Sequence, residues 1–320
     1  MTMRITDILA AHDGTAFSFE VLPPLKGRGV AQLFKNIDTL REFDPMYINI
    51  TSHRSELVFK STPDGLYQRV SQRSRPGTVA VAAAIQQRYG IPAVPHIICS
   101  GFSKMETEYA LIDLNFLGIT NILLLRGDKA KHESSFIPNE GGHAHATELQ
   151  AQVNDFNRGY FIDGTKMDIE TGETFCYGVA GYPEKHEEAP NIDMDIHYLK
   201  QKVDNGAEYV VTQLFYDNEK YFSFVDHCRA AGINVPIIPG IKPICTMKQM
   251  TVLPKVFHVD LPTALSDELL KCKSNDDAKA VGIEWCINQV KELIAAGVPS
   301  IHFYSLNATD SVRQIAKAVY

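Results

Sequence analysis

Short apolar runs alternate with segments of helical period along almost the whole chain. Residues 16–22 (AFSFEVL) read as a strand, and 30–43 (VAQLFKNIDTLREF) as an amphipathic helix. The pairing recurs. A strand at 46–52 precedes a helical region formed by 65–74 and 78–90 and broken at Pro76-Gly77. Strands at 93–99, 121–127, 175–183 and 209–216 precede helices at 103–118, 147–156, 193–206 and 218–232. A strand at 235–243 leads into helices through 296, and one at 300–306 into a last helix over 309–319. Gly206 stands at the end of the 193–206 helix, a usual stop signal.

Eight strands, each followed by helix and rich in β-branched and aliphatic residues, suit a parallel sheet covered by helices. The regular alternation predicts an α/β fold of the (β/α)8 TIM-barrel type, with a doubly wound open sheet as the alternative. The first strand-to-helix turn, PPLKGRGVAQL, has GxG but lacks the third glycine of a dinucleotide fingerprint. The pattern lapses between the fourth and fifth strands. Residues 128–146 are polar and read as a long loop, and Asp-Gly and Thr-Gly turns within 158–175 suggest a small hairpin. The expectation is one domain over 1–320 with an insertion at about 129–174.

Composition narrows the class. The 320 residues are 45% hydrophobic and 22% charged, as in an ordinary soluble enzyme. Net charge is 31 minus 38, or −7, without a long basic run, so nucleic acid and anionic membrane are poor partners. No apolar stretch reaches the ~18 residues of a membrane span, and the N-terminal residues lack the apolar block of a secretory signal, so a cytoplasmic location is expected. The six cysteines form no CxxC pair and read mostly as reduced core residues. His143 and His145 in GGHAHA read as part of a solvated loop, and no metal site is expected.

Chemistry in such a barrel sits at the C-terminal strand ends. Glu20 lies near the end of the first strand, inside an apolar run, as a structural ion-pair partner or a carboxyl aimed into a pocket. Thr51, Ser52 and His53 end the second strand. His96 and Cys99 lie late in the third, where His96 alone reads as a core histidine. Arg126-Gly127-Asp128 closes the fourth, with Asp128 alone readable as a loop cap. Tyr182 lies in the motif that closes the fifth, and Tyr304 in that of the last; both are readable as packing aromatics. Gln213, a neutral amide inside VVTQLFYD, needs partners once buried, and a ligand with donors and acceptors is a natural one. All eight strand ends are polar, aromatic or glycine-bearing, the pattern of a ligand-binding rim.

The motifs FSFEVLPP, PHIIC, LLLRGD, GYPEKHEEAP, LKQKVDNGAEYVVTQLFYD, IPGIKP and IHFYSLN, in that order from residue 16 to 307, resemble the methylenetetrahydrofolate reductase family in its single-domain bacterial form. The resemblance implies a flavoprotein barrel that passes reducing equivalents from NAD(P)H through FAD to 5,10-methylenetetrahydrofolate, with ping-pong kinetics and commonly a homo-oligomeric assembly. Carried over by motif, Glu20 falls at the general acid and Asp128 at the acidic residue beside the flavin. Thr51, His96, Arg126, Gly127, Tyr182, His186, Asp195 and Lys202 fall at flavin-binding positions, and Gln213 and Tyr304 at substrate-binding ones.

Two positions depart from the family pattern. Ala308 stands where the last-strand motif continues with a substrate-contacting arginine, and Leu253 where the best-known bacterial members have a phenylalanine near the nicotinamide. The insertion at 129–174 is also longer than in those members. Rival readings are a flavin-free folate-handling barrel such as a folate methyltransferase, and a barrel subunit of a larger electron-transfer assembly.

Overall fold

The fold is seen in a computed structural model, which describes residues 3–130, 133–168, 173–306 and 308–320. Among the described residues ten strands are formed: β1 (Ala16–Val21), β2 (Tyr47–Ile50), β3 (Glu56–Ser61), β4 (Tyr67–Gln72), β5 (Ala93–Ile98), β6 (Asn121–Leu125), β7 (Cys176–Gly181), β8 (Tyr209–Leu214), β9 (Ile237–Ile241) and β10 (Ser300–Phe303). Eight of them close into one barrel in the order β1-β10-β9-β8-β7-β6-β5-β2, every pair parallel. The closed ring is the expected (β/α)8 barrel and excludes the open doubly wound sheet.

Strand parity separates two cores. Phe17, Phe19, Val21, Ile48 and Ile50 face the surrounding helices and join their apolar sides. Their alternates face inward. Ala16, Tyr47, Val94, Leu123, Cys176, Tyr209 and Ile238 build the lower interior, packed on Ile5, Ile8 and Leu9. Those three belong to a helix, Ile5–Ala11, that plugs the barrel from below. Asn121 ties the plug in place: its Oδ1 accepts from Ile5 N at 3.0 Å, and its Nδ2 donates to Met3 O at 2.9 Å. The sequence reading assigned no helix here, because seven residues are too few to show a period.

Above this apolar floor the interior turns polar. Ser18, Asn49, His96 and His302 are all buried. Ser18 Oγ lies 3.0 Å from His302 Nδ1, and Asn49 Nδ2 lies 3.3 Å from His96 Nε2. Such groups are tolerated in a core only when they pair with one another or with a ligand.

Residues 65–74 are not helical. β3 and β4 form an antiparallel ribbon outside the barrel, between β2 and the helix Thr78–Tyr89. Pro63-Asp64-Gly65 supplies the turn. Gly65 adopts φ +81°, and Thr62 N donates to Leu66 O at 2.8 Å. Tyr67, Gln68, Arg69 and Ser71 are exposed, so no apolar stripe is buried that would have held a helix against the barrel.

Between β6 and β7 lies the helix Ala146–Asn157, then a tight turn with an antiparallel bridge between Tyr160 and Lys166. Within the 129–174 segment, residues 131–132 and 169–172 lie outside the described part. His143 corrects the reading of a solvated loop. It is buried, with Nε2 2.6 Å from Gln152 Oε1, and Gln152 Nε2 donates in turn to Lys104 O at 2.8 Å. The six cysteines are free thiols, with Cys99, Cys176, Cys228 and Cys286 buried. Among the described residues no helix is long and apolar enough to cross a membrane, and no group of three or more His, Cys, Asp or Glu is arranged to hold a metal.

Candidate active site

Glu20 points into the barrel because its neighbours Phe19 and Val21 point out. It stands opposite Asn49 in the β1–β2 register and is only 5% exposed. Ser305 Oγ donates to Glu20 O at 2.6 Å and fixes the end of the strand. Burial pushes the Glu20 carboxyl up to about 8, with the Lys242 ammonium pulling the other way. Glu20 therefore holds its proton at neutral pH. His96 Nε2 lies 3.9 Å from Glu20 Oε2, but burial brings the His96 imidazole down to about 3, so this is a neutral contact and not an ion pair. His302 is likewise held neutral by burial, at about 3.

Tyr304 follows β10 and leans across β9. The glycine at 240 makes this possible: a Cβ there would fall 2.5 Å from the Tyr304 ring and 2.3 Å from Thr212 O. The phenol donates to Thr212 O at 2.6 Å, next to Gln213. Gln213 sits at an irregularity in the β8–β9 register, its Oε1 accepting from Leu214 N at 2.9 Å. Glu20, His96, Gln213 and Tyr304 are thus brought to one end of the barrel, as expected of the strand ends.

At the end of β6 the Arg126-Gly127-Asp128 backbone is stitched to the loop after β5. Ser100 N donates to Arg126 O at 2.9 Å, and Ser100 Oγ to Asp128 O at 2.8 Å. Gly127 adopts φ +81°, and a Cβ there would fall 2.9 Å from Ser100 Cβ. The turn accepts only glycine, and it leaves bare backbone beside Asp128. The Arg126 guanidinium pairs with both oxygens of Glu188 and lies over the Phe136 ring at 4.9 Å.

The loop after β7 carries Tyr182 and His186, whose rings meet edge to face at 4.7 Å. His186 N donates to Asp195 Oδ2 at 2.9 Å, and Lys202 Nζ donates to Ala180 O at 2.8 Å. Both partners come from the helix Ile192–Asp204. Burial lowers the Lys202 ammonium to about 8, against the opposing pull of Asp195. In this arrangement Asp195 and Lys202 brace β7 and its loop from behind. Thr51, on the half-buried lip after β2, bonds through its N–H to Val21 O at 3.1 Å.

The structure adds residues that the sequence reading did not single out. Lys242 follows β9 and is 8% exposed. Asn49 and His302 line the interior, and their Oδ1 and Nε2 atoms are buried with no partner among the described residues. His53, named above at the end of the second strand, is held below its ordinary range, chiefly by burial and then by Arg75, with Asp128 opposing. A hollow of about 580 Å³ borders Ser52, His53 and His96 and runs outward between the helices Thr78–Tyr89 and Lys104–Phe116. A groove of about 690 Å³ between Phe34, Arg88 and Arg313 lies on the outer helices, away from this chemistry.

Of the two departures, Leu253 is buried in a satellite core with Leu214, Tyr216 and Ile244, and Tyr304 packs against that core. Ala308 is buried at the start of the last helix, so an arginine placed there would need its neighbours to move. Asn307 lies outside the described residues.

An arrangement of this kind can hold a planar, polar ring over the strand ends and offer it a neutral carboxylic acid. Comparison with known proteins agrees on a family. The family model described as methylenetetrahydrofolate reductase matches residues 4–320. "Methylenetetrahydrofolate reductase (NADH) 1" of Arabidopsis thaliana is 34% identical over 307 residues, covering 93% of this chain and 47% of that protein. "5,10-methylenetetrahydrofolate reductase" of Pectobacterium carotovorum subsp. carotovorum is 32% identical over 298 residues, covering 92% of this chain and 86% of that protein. The chain spans about half the length of the plant and yeast relatives it matches. Among solved structures, a Clostridium thermocellum protein that binds two copies of 5-methyl-5,6,7,8-tetrahydrofolic acid superposes with a TM-score of 0.57 at 15% identity, covering 98% of this chain and 97% of that one. That likeness concerns the fold alone.

Proposed function

The chain belongs to the methylenetetrahydrofolate reductase family, and from that membership we propose that it reduces 5,10-methylenetetrahydrofolate to 5-methyltetrahydrofolate with NAD(P)H, the two substrates reacting in turn through FAD. The observation that carries the reading is Glu20: a carboxyl group that keeps its proton at neutral pH, buried at the inner end of β1 among polar atoms that lack partners. The substrate's five-membered ring must open before hydride can reach its methylene carbon, and N10 must leave as an amine. Glu20 supplies the proton to N10, which a carboxyl with a pKa near the working pH does well. Asp128, when ionised, favours the cationic 5-iminium that ring opening produces. Gln213 on β8 and Tyr304 just past β10 would border the folate.

The residues present fit a flavin. The bare backbone at Gly127 would admit a flat ring at close range, and the unpartnered Asn49 Oδ1 and His302 Nε2 support a polar occupant of the chamber. Thr51, His96, Arg126, Gly127, Asp128, Tyr182 and His186 would hold it, with Asp195 and Lys202 behind them. When bound, FAD supplies the hydride carrier that no side chain here can be. A cytoplasmic homo-oligomer belongs to the same reading.

Anaerobic stopped-flow on the two half-reactions tests it. In Glu20→Gln, flavin reduction by NAD(P)H should persist, because that step needs no proton on N10. Reoxidation by methylenetetrahydrofolate should slow by ~10²–10⁴-fold, the usual loss for a general acid. A Gln variant that reduces folate at the parent rate refutes the assignment.

A further inference from the structure

Lys242 is an odd residue for its place. It follows IIPGI, a strand buried throughout, and is itself almost fully buried. Its ammonium has no hydrogen-bond partner among the described residues, and neither does the Glu20 carboxyl. Register accounts for where they stand. Phe19 pairs with Phe303, and Phe303 with Ile241. One residue further on, Glu20, Tyr304 and Lys242 stand at one level on three adjacent strands. Tyr304 leans away over Gly240 to reach Thr212, so its phenol is engaged on the far side of β9.

We propose that Lys242 is a positioning residue for the proton donor: it acts through Glu20, as the cation that supports the carboxylate left behind when the proton goes to N10. This rests on the reductase reading above. In the step concerned, the proton leaves a Glu20 oxygen for N10, and the bond from the methylene carbon to N10 breaks with its electron pair on nitrogen. N5 and that carbon become the iminium. A carboxylate is then left in a site that disfavours charge, and a nearby ammonium offsets this.

The other titratable and polar groups of the barrel interior and its mouth cannot do the same. His96 on β5 and His302 on β10 are held neutral by burial. Tyr47 on β2, Tyr182 on the loop after β7 and Tyr304 just past β10 are phenols raised by burial, and Asn49 has no charge. The pull between Glu20 and Lys242 is mutual, each favouring the charged form of the other.

The test is a ¹³C NMR titration of glutamate-labelled protein, the Glu20 signal being identified by its loss in Glu20→Gln. Lys242→Met and Lys242→Gln should raise the Glu20 midpoint by about one unit or more, and Lys242→Arg should leave it near the parent value. In stopped-flow the neutral variants should show a lower folate rate at neutral pH, together with an alkaline limb displaced upward by the same amount. A merely structural lysine would lower the rate without moving the limb. Midpoints unmoved in both neutral variants, or moved as far by arginine as by methionine, overturn the proposal. The titration reads the pairing without turnover. A Glu20 midpoint that follows Lys242 in a protein unable to reduce folate upholds the pairing and sinks the reductase reading. An active reductase with an unmoved midpoint does the reverse.

Discussion

Replacing Glu20 by glutamine should make the folded protein more stable in alkali. The carboxyl is buried and rises from an ordinary 4.5 to about 8. Between those values the folded state holds a proton that the unfolded state has released. The stability of the parent is therefore fully present below the unfolded value and is lost as pH rises through the folded one. The span, at about 1.4 kcal/mol per unit, comes to about 5 kcal/mol. Glutamine does not titrate, so the variant escapes this loss. His96 and His302, brought down to about 3, drain stability on the acid side instead, but they titrate in both proteins and cancel in the difference. Urea midpoints for parent and variant, taken in parallel from about pH 5 to about pH 9 at a common m value, give the difference directly. It should grow in favour of the variant with rising pH and level off once the carboxyl has ionised. A difference that stays flat within about 0.5 kcal/mol would mean that the Glu20 carboxyl reaches water, and the account of the acid would fail.

Three further outcomes follow from the site. Gly240→Ala brings a methyl to 2.3 Å from Thr212 O, a backbone atom that cannot swing aside, and should cost about 1–3 kcal/mol in urea while unseating Tyr304; a neutral effect would show that Tyr304 does not lie across β9. Lys202→Met leaves Ala180 O without its donor and should cost about 1–3 kcal/mol of stability; reduced FAD content at unchanged stability would make Lys202 a ligand and not a brace. Asp128→Asn should keep the fold and slow the folate half-reaction more than flavin reduction, whereas equal effects on both would remove Asp128 from the side of the substrate cation.

The barrel strands are legible in the sequence because each is buried on both faces and reads as a continuous apolar run between helical segments. The ribbon of β3 and β4 is not, since Tyr67–Gln72 buries neither face and its polar residues fit a helical period as well as a two-fold one. The decisive signal there is the Pro63-Asp64-Gly65 turn. Glu20 stands out as a carboxylate within an apolar strand. Lys242 carries the same signal in IIPGIKP, but the flanking prolines make it look like a strand end. Asn49 and His302 become visible only once parity is known, because one step of register would turn them to the helices. His143 depends on Gln152, brought to it by the fold, and no local pattern announces that contact.

The helix that seals the lower end of the barrel makes the interior a vessel filled from above. Ile5, Ile8 and Leu9 pack against the apolar floor beneath Ser18, Asn49, His96 and His302. In the proposed reaction, a reactant seated over Glu20 would stand in the way of its successor at the strand ends. On the same reading, the proton that Glu20 gives up would be restored by solvent that returns when the mouth is vacated. Emptying the vessel and rearming the acid would then go together, and whatever slows the departure of product would delay both.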